Sequence, residues 1–241
     1  MPSMKVAEIR RYPIKSLLGE QLDDVEIERR GLIGDRLWAV RDVEGKIGSG
    51  KNTRRFRRMP GLLRLRGRFG ERVPTVELLD GKAFAADDPA GHAAVSHAIG
   101  RNVSIARESE IQHHDEGPVS LITTAGLRQL AAMTGEPVDP ARFRANLVID
   151  LPGTGFPDDG WLGHDLQIGP SVILRPQALQ TRCIMIDVAQ GDLPEDGRLL
   201  KAVAERPDLT FGLWGTVVRP GRLAVGDTVT VRSRTLITAR S

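Results

Sequence analysis

Alternating hydrophobic and polar positions predict a chain built mainly of short β-strands. Val25 and Ile27 alternate with glutamates, which is the period of a strand with one buried face. Further strand patterns lie at residues 37–40, 75–79, 102–107, 119–123, 142–150, 166–174, 213–218 and 223–231. Turn signals separate the strands, and the Asp80-Gly81 pair is a strong hairpin signal. Many short strands between such turns favour a closed or partly closed β-barrel.

Short helices are predicted beside these strands. Asp88, which a proline follows, is suited to cap a helix that ends at Gly100. Thr124 is a candidate N-cap for a second helix, and residues 198–205 predict a third. The predicted fold class is therefore mainly β (α+β), with a β-barrel and peripheral short helices.

A polar segment at residues 108–118 is predicted to link two domains. We place the boundary between a β-rich N-terminal module of residues 1–112 and a second domain of residues 113–241. His113 and His114 lie in this segment, and we expect both to be surface residues. A chain of 241 residues is long enough to bury a core without disulfides.

Composition and charge argue against several function classes. Aromatic residues make up 4% of the chain, too few to favour an aromatic platform for single-stranded nucleic acid. A single cysteine cannot form an intramolecular disulfide or by itself hold an iron–sulfur cluster. The N-terminus lacks the apolar region of a signal peptide, and no apolar stretch approaches the roughly 20 residues of a membrane span. We therefore expect a cytoplasmic protein with no membrane partner.

A basic stretch leaves three alternatives open. Its cations are Lys51, Arg54, Arg55, Arg57 and Arg58. They form a solvated surface, a rim that receives an anionic ligand, or a contact to a nucleic-acid backbone. The net charge of +3 disfavours nucleic acid as a partner. The glycines and serine before Lys51 lack the spacing of a P-loop, although their amides could hold an oxyanion.

Cys183 raises the sharpest chemical question. A lone cysteine is commonly a small buried hydrophobe. Arg182 would instead favour the thiolate if the two side chains approach each other. The thiolate binds soft metals or attacks sulfur. No zinc pattern, dinucleotide fingerprint or GxSxG elbow accompanies it in the sequence.

Five short motifs occur in order along the chain. They are YPIKS at 12–16, GLIGDRLW at 31–38, RFRAN at 142–146, TRC at 181–183 and VGD at 225–227. Together they resemble the MOSC family, named for the C-terminal domain of molybdenum cofactor sulfurase. The resemblance implies an N-terminal MOSC-type β module followed by a MOSC-type β-barrel.

The resemblance also implies a molybdenum cofactor (molybdopterin) and a set of site residues. Similar two-module proteins include the mitochondrial amidoxime-reducing component and bacterial reductases of N-hydroxylated bases, in which a cysteine binds molybdenum. Cys183 matches that cysteine and is the predicted metal ligand and catalytic residue. The predicted cofactor-binding residues are Lys15, Ser16, Arg36, Lys51, Thr123, Thr124, Arg144, Asn146 and Arg182.

Two departures from the pattern leave the reaction open. Residues 47–52 replace a TxRQ-like segment of the amidoxime reducers, and Leu213 stands near a position where they carry glutamine. The first hypothesis is a molybdenum-dependent oxidoreductase that acts on an N-hydroxylated or N-oxide small molecule, with electrons from a separate donor protein. The alternative is a non-redox sulfur-transfer or molybdenum-cofactor carrier protein, in which Cys183 holds a persulfide or the cofactor.

Overall fold

The computed structural model describes residues 4–110 and 112–233, and strands predominate in it. The strands before residue 110 are β1 (Met4–Arg11), β2 (Ile14–Lys15), β3 (Glu20–Leu22), β4 (Asp24–Glu28), β5 (Gly31–Leu32), β6 (Trp38–Asp42), β7 (Ile47–Ser49), β8 (Phe56–Arg58), β9 (Arg66–Arg68), β10 (Thr75–Glu77), β11 (Ala83–Ala85) and β12 (Val103–Arg107). The later strands are β13 (Val119–Thr123), β14 (Leu147–Asp150), β15 (His164–Ile168), β16 (Val172–Thr181), β17 (Thr210–Arg219), β18 (Gly221–Ala224) and β19 (Thr228–Ser233).

Short helices connect the strands. The α-helices are α1 (Pro89–Ile99), α2 (Thr124–Thr134) and α3 (Leu199–Val203). The 3-10 helices are Pro60–Arg64, Pro140–Phe143, Pro157–Trp161, Ile184–Ile186 and Pro207–Leu209. In the described part of the chain, no helix has the length and apolar character needed to cross a membrane.

Helix capping explains where two of these helices begin. The side chain of Asp88 accepts a hydrogen bond from the backbone N–H of Ala90 at 2.8 Å, and Gly100 ends α1 with a φ of 65°, as predicted. The predicted cap of α2 is wrong by one position. Thr123, not Thr124, accepts a hydrogen bond from the N–H of Gly126, at 3.1 Å.

Seven strands close a barrel. Their order is β14-β13-β17-β16-β15-β19-β1, and β1 pairs back onto β14. The β13–β14 pair is parallel, whereas the other pairs in the ring are antiparallel. Apolar side chains such as Ile9, Leu121 and Leu166 fill the interior. The predicted class, mainly β (α+β) with a barrel and peripheral short helices, is confirmed.

A second, smaller core lies in the N-terminal part of the chain. It packs α1 and the sheet β12-β6-β7-β8 around residues such as Ile14, Leu62 and Val95. Strand pairings cross the proposed division after residue 112, because β1 lies in the barrel and β4 pairs with β18. The boundary itself stays a prediction.

Three predicted strands differ from the structure. The predicted strand 142–150 begins at Leu147, because a 3-10 helix precedes it and Arg144 adopts a left-handed φ of 53°. Residues 166–174 and 223–231 each contain a turn and form two strands rather than one. Strand β16 extends to Thr181, although no period is visible there, because its pairing with β17 shifts register three times.

Candidate functional site

A cationic cleft lies where residues of the N-terminal part meet the barrel. Its positively charged lining residues are Lys15, Arg36, Lys51, Arg142, Arg144 and Arg182. The acids that line it are Asp115 and Glu116, and Cys183 contributes a thiol. Because six cations face two acids, the cleft favours an anionic ligand.

The cleft brings together most of the predicted site residues. The predicted residues that line it are Lys15, Ser16, Arg36, Lys51, Arg144, Arg182 and Cys183. They come from both halves of the sequence, as the motif pattern implies. Thr123, Thr124 and Asn146 do not belong to its lining.

The two threonines outside the cleft have structural partners. Thr123 is fully buried and donates a hydrogen bond to Oδ1 of Asp158 at 2.9 Å. Thr124 donates a hydrogen bond to Oδ1 of Asp150 at 2.9 Å. These bonds connect α2 to its surroundings, and the predicted cofactor contacts of both residues stay predictions.

Asn146 lies behind the cleft and connects β13 to Arg36. Its Oδ1 accepts hydrogen bonds from the backbone N–H and the hydroxyl of Ser120, both at 3.0 Å. The same oxygen accepts a bond from Nη1 of Arg36 at 3.4 Å. Asn146 therefore positions a cleft arginine without lining the cleft.

Three lining residues have an unusual backbone conformation. Ser16, Arg36 and Arg144 have φ values of 66°, 51° and 53°, in the left-handed region that non-glycine residues rarely adopt. Such conformations cost roughly 1–3 kcal/mol each and persist only where the surrounding structure holds them. Their concentration at one cleft indicates a functional site.

Arg36 holds the backbone of Arg144, and Arg144 holds the loop after β2. Nη2 of Arg36 donates to the backbone oxygen of Arg144 at 2.8 Å, and Arg36 also pairs with Asp35. Nη2 of Arg144 donates to the backbone oxygen of Leu17 at 2.7 Å. Both guanidiniums stack on the ring of Tyr12, at 4.8 and 4.3 Å from its centroid.

Two buried guanidiniums in the cleft keep an unused donor. Arg182 donates from Nε to the oxygen of Phe211 at 2.8 Å and from Nη1 to that of Phe143 at 3.0 Å. Within residues 4–110 and 112–233, Nη2 of Arg182 and Nη1 of Arg144 have no hydrogen-bond partner. Burial lowers the pKa of each guanidinium to about 10. A buried N–H without an acceptor is costly, so both donors fit a site for an anionic ligand.

Lys15 is the most enclosed ammonium of the cleft. Its side chain is 4% exposed, and its Nζ lies 3.0 Å from Oδ2 of Asp115. Burial lowers the pKa of Lys15 to about 8, and the Asp115 carboxylate opposes that shift.

Cys183 is a partly exposed thiol at the end of β16. It lies at the start of the 3-10 helix Ile184–Ile186 and belongs to none of the buried apolar clusters. Its position in the cleft supports the reactive-thiol interpretation over that of a buried hydrophobe. In the part of the chain that the structure describes, no three or more His, Cys, Asp or Glu residues cluster as a metal site.

The predicted linker is a fixed segment that crosses the cleft. We call residues 112–118 the strap. His113 is fully buried and His114 is 6% exposed, so the expectation of surface histidines is wrong. Arg55 donates to the backbone oxygens of Gln112 and His114. Nδ1 of His113 donates to the oxygen of Arg36 at 3.2 Å, while Nε2 accepts from Arg41 at 3.0 Å.

The strap supplies the two acids that sequence reasoning missed. Asp115 and Glu116 stand in a stretch whose composition is that of a solvated linker, and no motif marks them. Arg142 was also missed as a lining residue, although it belongs to the RFRAN motif. Membership of this motif is the sequence feature that could have predicted Arg142 as a cleft residue.

The basic stretch divides between the cleft and intramolecular contacts. Lys51 lines the cleft, as the anion-rim interpretation requires. Arg57 pairs with Asp42 at 2.8 Å and with Glu44 at 2.7 Å, and Arg55 holds the strap. The cleft and these contacts account for Lys51, Arg55 and Arg57, and the expectation that nucleic acid is not a partner stays a prediction.

Of the two departures from the family pattern, one touches the cleft. Ser49 and Lys51, in the 47–52 segment, line it. Leu213 is fully buried in the barrel core and does not belong to the lining of the cleft.

Comparisons with known proteins add to this geometry. The family model of the MOSC N-terminal beta barrel domain matches residues 3–105, and that of the MOSC domain matches residues 108–230. The YUAD protein from Bacillus subtilis is similar, with 17% identity, a TM-score of 0.49 and 97% of each chain covered. YiiM from Escherichia coli has 11% identity and a TM-score of 0.44, covering 98% of this chain and 71% of that chain. No curated protein matches the sequence.

The two family models succeed each other along the chain and leave only short segments unmatched. The resemblance seen in the five motifs is thereby confirmed. The chain belongs to the MOSC family, with an N-terminal beta barrel domain followed by a MOSC domain.

Proposed function

We propose that the cationic cleft binds a molybdenum–pterin cofactor and that Cys183 is the protein ligand to the metal. The observation that carries this proposal is the meeting, in one cleft, of a partly exposed thiol and two buried guanidinium donors that have no partner among the described residues. A thiolate is a soft ligand suited to such a metal. The fit extends to the anionic part of the cofactor, because arginine forks bind phosphate oxygens with good geometry.

The residues of the cleft contribute to ligand binding in different ways. Arg144 and Arg182 offer Nη1 and Nη2 to anionic oxygens, and Lys15 adds a compact ammonium charge. Ser16 donates its hydroxyl to the oxygen of Gly48 at 2.8 Å, which fixes the loop after β2 against β7. Arg182 directly precedes Cys183 in the chain, and both residues line the cleft.

The finer proposal is reduction of an N-hydroxylated or N-oxide small molecule. When bound, the cofactor would supply oxygen-atom transfer chemistry. Removal of one oxygen as water consumes two electrons and two protons, and the chain's single cysteine cannot hold a cysteine-ligated iron–sulfur cluster. In this proposal a separate donor protein supplies the electrons.

The metal content of purified protein tests the cofactor proposal. Wild type from a molybdenum-replete host is expected to contain about one molybdenum per chain, and Cys183→Ser to lose at least roughly tenfold of it. Met133→Leu is the matched control, because it removes a sulfur of α2 outside the cleft while conserving volume. Well-folded wild type without molybdenum, or unchanged content in Cys183→Ser, would reject the proposal.

Turnover separates the reductase from the alternative, a sulfur-transfer or carrier protein. The alternative is supported by the partly exposed thiol and by the altered 47–52 segment in the cleft wall. A reductase consumes an amidoxime with a reduced dye as donor, in proportion to molybdenum content. A sulfur carrier shows no such turnover, and intact mass spectrometry finds an extra, cyanide-labile sulfur on Cys183.

A further inference from the structure

We propose that Asp115 is an internal anion that occupies the ligand's place in the cationic cleft and is displaced when an anionic ligand binds. The inference rests on the proposed function in one respect only: the cleft takes an anionic group. It does not require molybdenum.

The ion pair between Asp115 and Lys15 joins a solvent-facing acid to an enclosed base. The Asp115 side chain is 50% exposed, that of Lys15 is 4% exposed, and their charged atoms lie 3.0 Å apart. An unpaired ammonium as buried as Lys15 would be costly. Asp115 therefore neutralises the deepest charge of the cleft from its open side.

The strap backbone is held on both sides of Asp115. On one side, the N–H of His113 donates to Oε2 of Glu108 at 2.7 Å. On the other, Gly117 packs so closely on Trp214 that a Cβ would lie 2.0 Å from the indole ring. The proposal therefore assigns the displacement to the half-exposed Asp115 side chain rather than to the strap backbone.

Asp115 is an incomplete partner for the cleft. Its carboxylate pairs with Lys15, whereas Nη1 of Arg144 and Nη2 of Arg182 keep no partner in the described residues. A phosphate group carries more negative charge and presents three acceptor oxygens. A phosphate in the place of the Asp115 carboxylate would therefore also give these guanidinium donors of Arg144 and Arg182 an acceptor.

Displacement also explains why this acid lies in a cationic cleft. Burial tends to raise the pKa of Asp115, but Lys15, Lys51 and Arg36 hold that pKa below its usual range. The side chain is thus a permanent anion near neutral pH. Because it competes with any ligand, it sets the affinity of the cleft and excludes weakly charged molecules.

Calorimetric titration with inorganic phosphate and pyrophosphate tests the exchange. At about 0.15 M salt and a pH near 6, chosen so that Lys15 stays protonated without the Asp115 carboxylate, Asp115→Asn is expected to bind pyrophosphate about tenfold tighter than wild type, or ~1.4 kcal/mol. Asp80→Asn is the control for a lost surface acid, because Asp80 pairs with Lys82 outside the cleft, and its affinity is expected to equal that of wild type.

Glu116→Gln separates a specific exchange from a general charge effect. Glu116 lines the cleft in the same strap, but its charge acts on Arg182 rather than on Lys15, and its carboxylate forms no ion pair within 4.0 Å in the described residues. Its removal is expected to tighten binding by less than about threefold. Equal gains in Asp115→Asn and Glu116→Gln, or no gain in Asp115→Asn, would overturn the proposal.

A replacement variant and the molybdenum content of the wild type allow failure of the exchange to be distinguished from failure of the cofactor proposal. If Asp115→Asn does not fold, Asp115→Ser replaces it, since a hydroxyl still offers Lys15 an acceptor. Wild type that retains molybdenum while Asp115 variants bind pyrophosphate no better rejects the exchange alone. Variants that bind pyrophosphate tighter while wild type never holds molybdenum reject the cofactor and leave the exchange standing.

Discussion

Arginine side chains in this cleft act as structural braces as well as ligand donors. Arg182 is the clearest case, because two of its nitrogens bond to the backbone oxygens of Phe211 and Phe143 and a third has no partner in the described chain. A lysine at this position keeps the charge but cannot reproduce the fork.

Arg182→Lys is therefore expected to lose stability as well as anion affinity. Leaving a buried carbonyl without its donor costs about 1–3 kcal/mol, which urea unfolding would measure as a lower midpoint at unchanged slope. Arg198→Lys is the control, because Arg198 is 46% exposed and pairs with Glu136 and Asp196 on the surface. Its expected loss is under about 1 kcal/mol, and an equal loss in both variants would contradict the brace.

At the scale of single residues, the cations of the cleft can be predicted from the sequence more readily than its acids. Lys15, Arg36 and Arg182 lie in recognisable motifs, so their meeting in one cleft could be predicted. Asp115 could not, because its function depends on where the strap crosses, and its neighbours have the composition of a solvated linker.

Helix α2 depends on one buried threonine. Thr123 accepts from the N–H of Gly126 and donates to Asp158, which is 1% exposed. Burial raises the pKa of Asp158, and the Thr123 hydroxyl opposes that shift. The hydroxyl thus both starts the helix and satisfies a buried carboxyl group.

Thr123→Ala is expected to cost about 2–4 kcal/mol, since it removes the cap and leaves the carboxyl group without its donor. Thr123→Ser keeps the hydroxyl and should recover most of that loss. Denaturant unfolding of the two variants measures the difference. Equal stabilities would show that the methyl group, rather than the hydroxyl, matters.

Elements with regular periods could be predicted, and those with irregular backbones could not. Helix α1 follows directly from Asp88 and Gly100. Strand β16 was not visible beyond Leu174, because register shifts break the alternation that marks a strand. The 3-10 helix before Arg144 interrupts a run of residues that reads as one strand.

Across the whole molecule, the strap makes stability depend on pH. Burial lowers the pKa of His113 and of His114 to about 4. In the unfolded chain each would titrate near the ordinary value of about 6.5. Between these values the unfolded state binds more protons, so stability falls as the pH decreases through this window.

The free energy of unfolding is expected to drop by up to about 3 kcal/mol per histidine between about pH 6.5 and pH 4. Urea titrations across this range measure the slope. His113→Gln removes one titrating group and should flatten the slope by about half. A slope unchanged in His113→Gln would assign the pH dependence to other groups.

The periodicity of the sequence does not predict how the barrel closes. Strand β1 lies near the start of the chain, yet it pairs with β14 and β19, which both come from the second half of the sequence. A pattern of alternating residues predicts a strand but not its partners, so the barrel could be predicted as a class and not as this ring.

The left-handed residues of the cleft limit which amino-acid substitutions the protein can accept. The side chain of Arg36 donates a hydrogen bond to the backbone oxygen of Arg144. The side chain of Arg144 donates one to the backbone oxygen of Leu17, one residue after Ser16. The backbones of Arg144 and of Leu17, next to Ser16, are thus held by side chains from distant parts of the sequence, and His113 holds the backbone oxygen of Arg36 in the same way. The backbone of each motif therefore depends on side chains of another, so a substitution in one motif is expected to disturb the cleft wall that a different part of the chain forms.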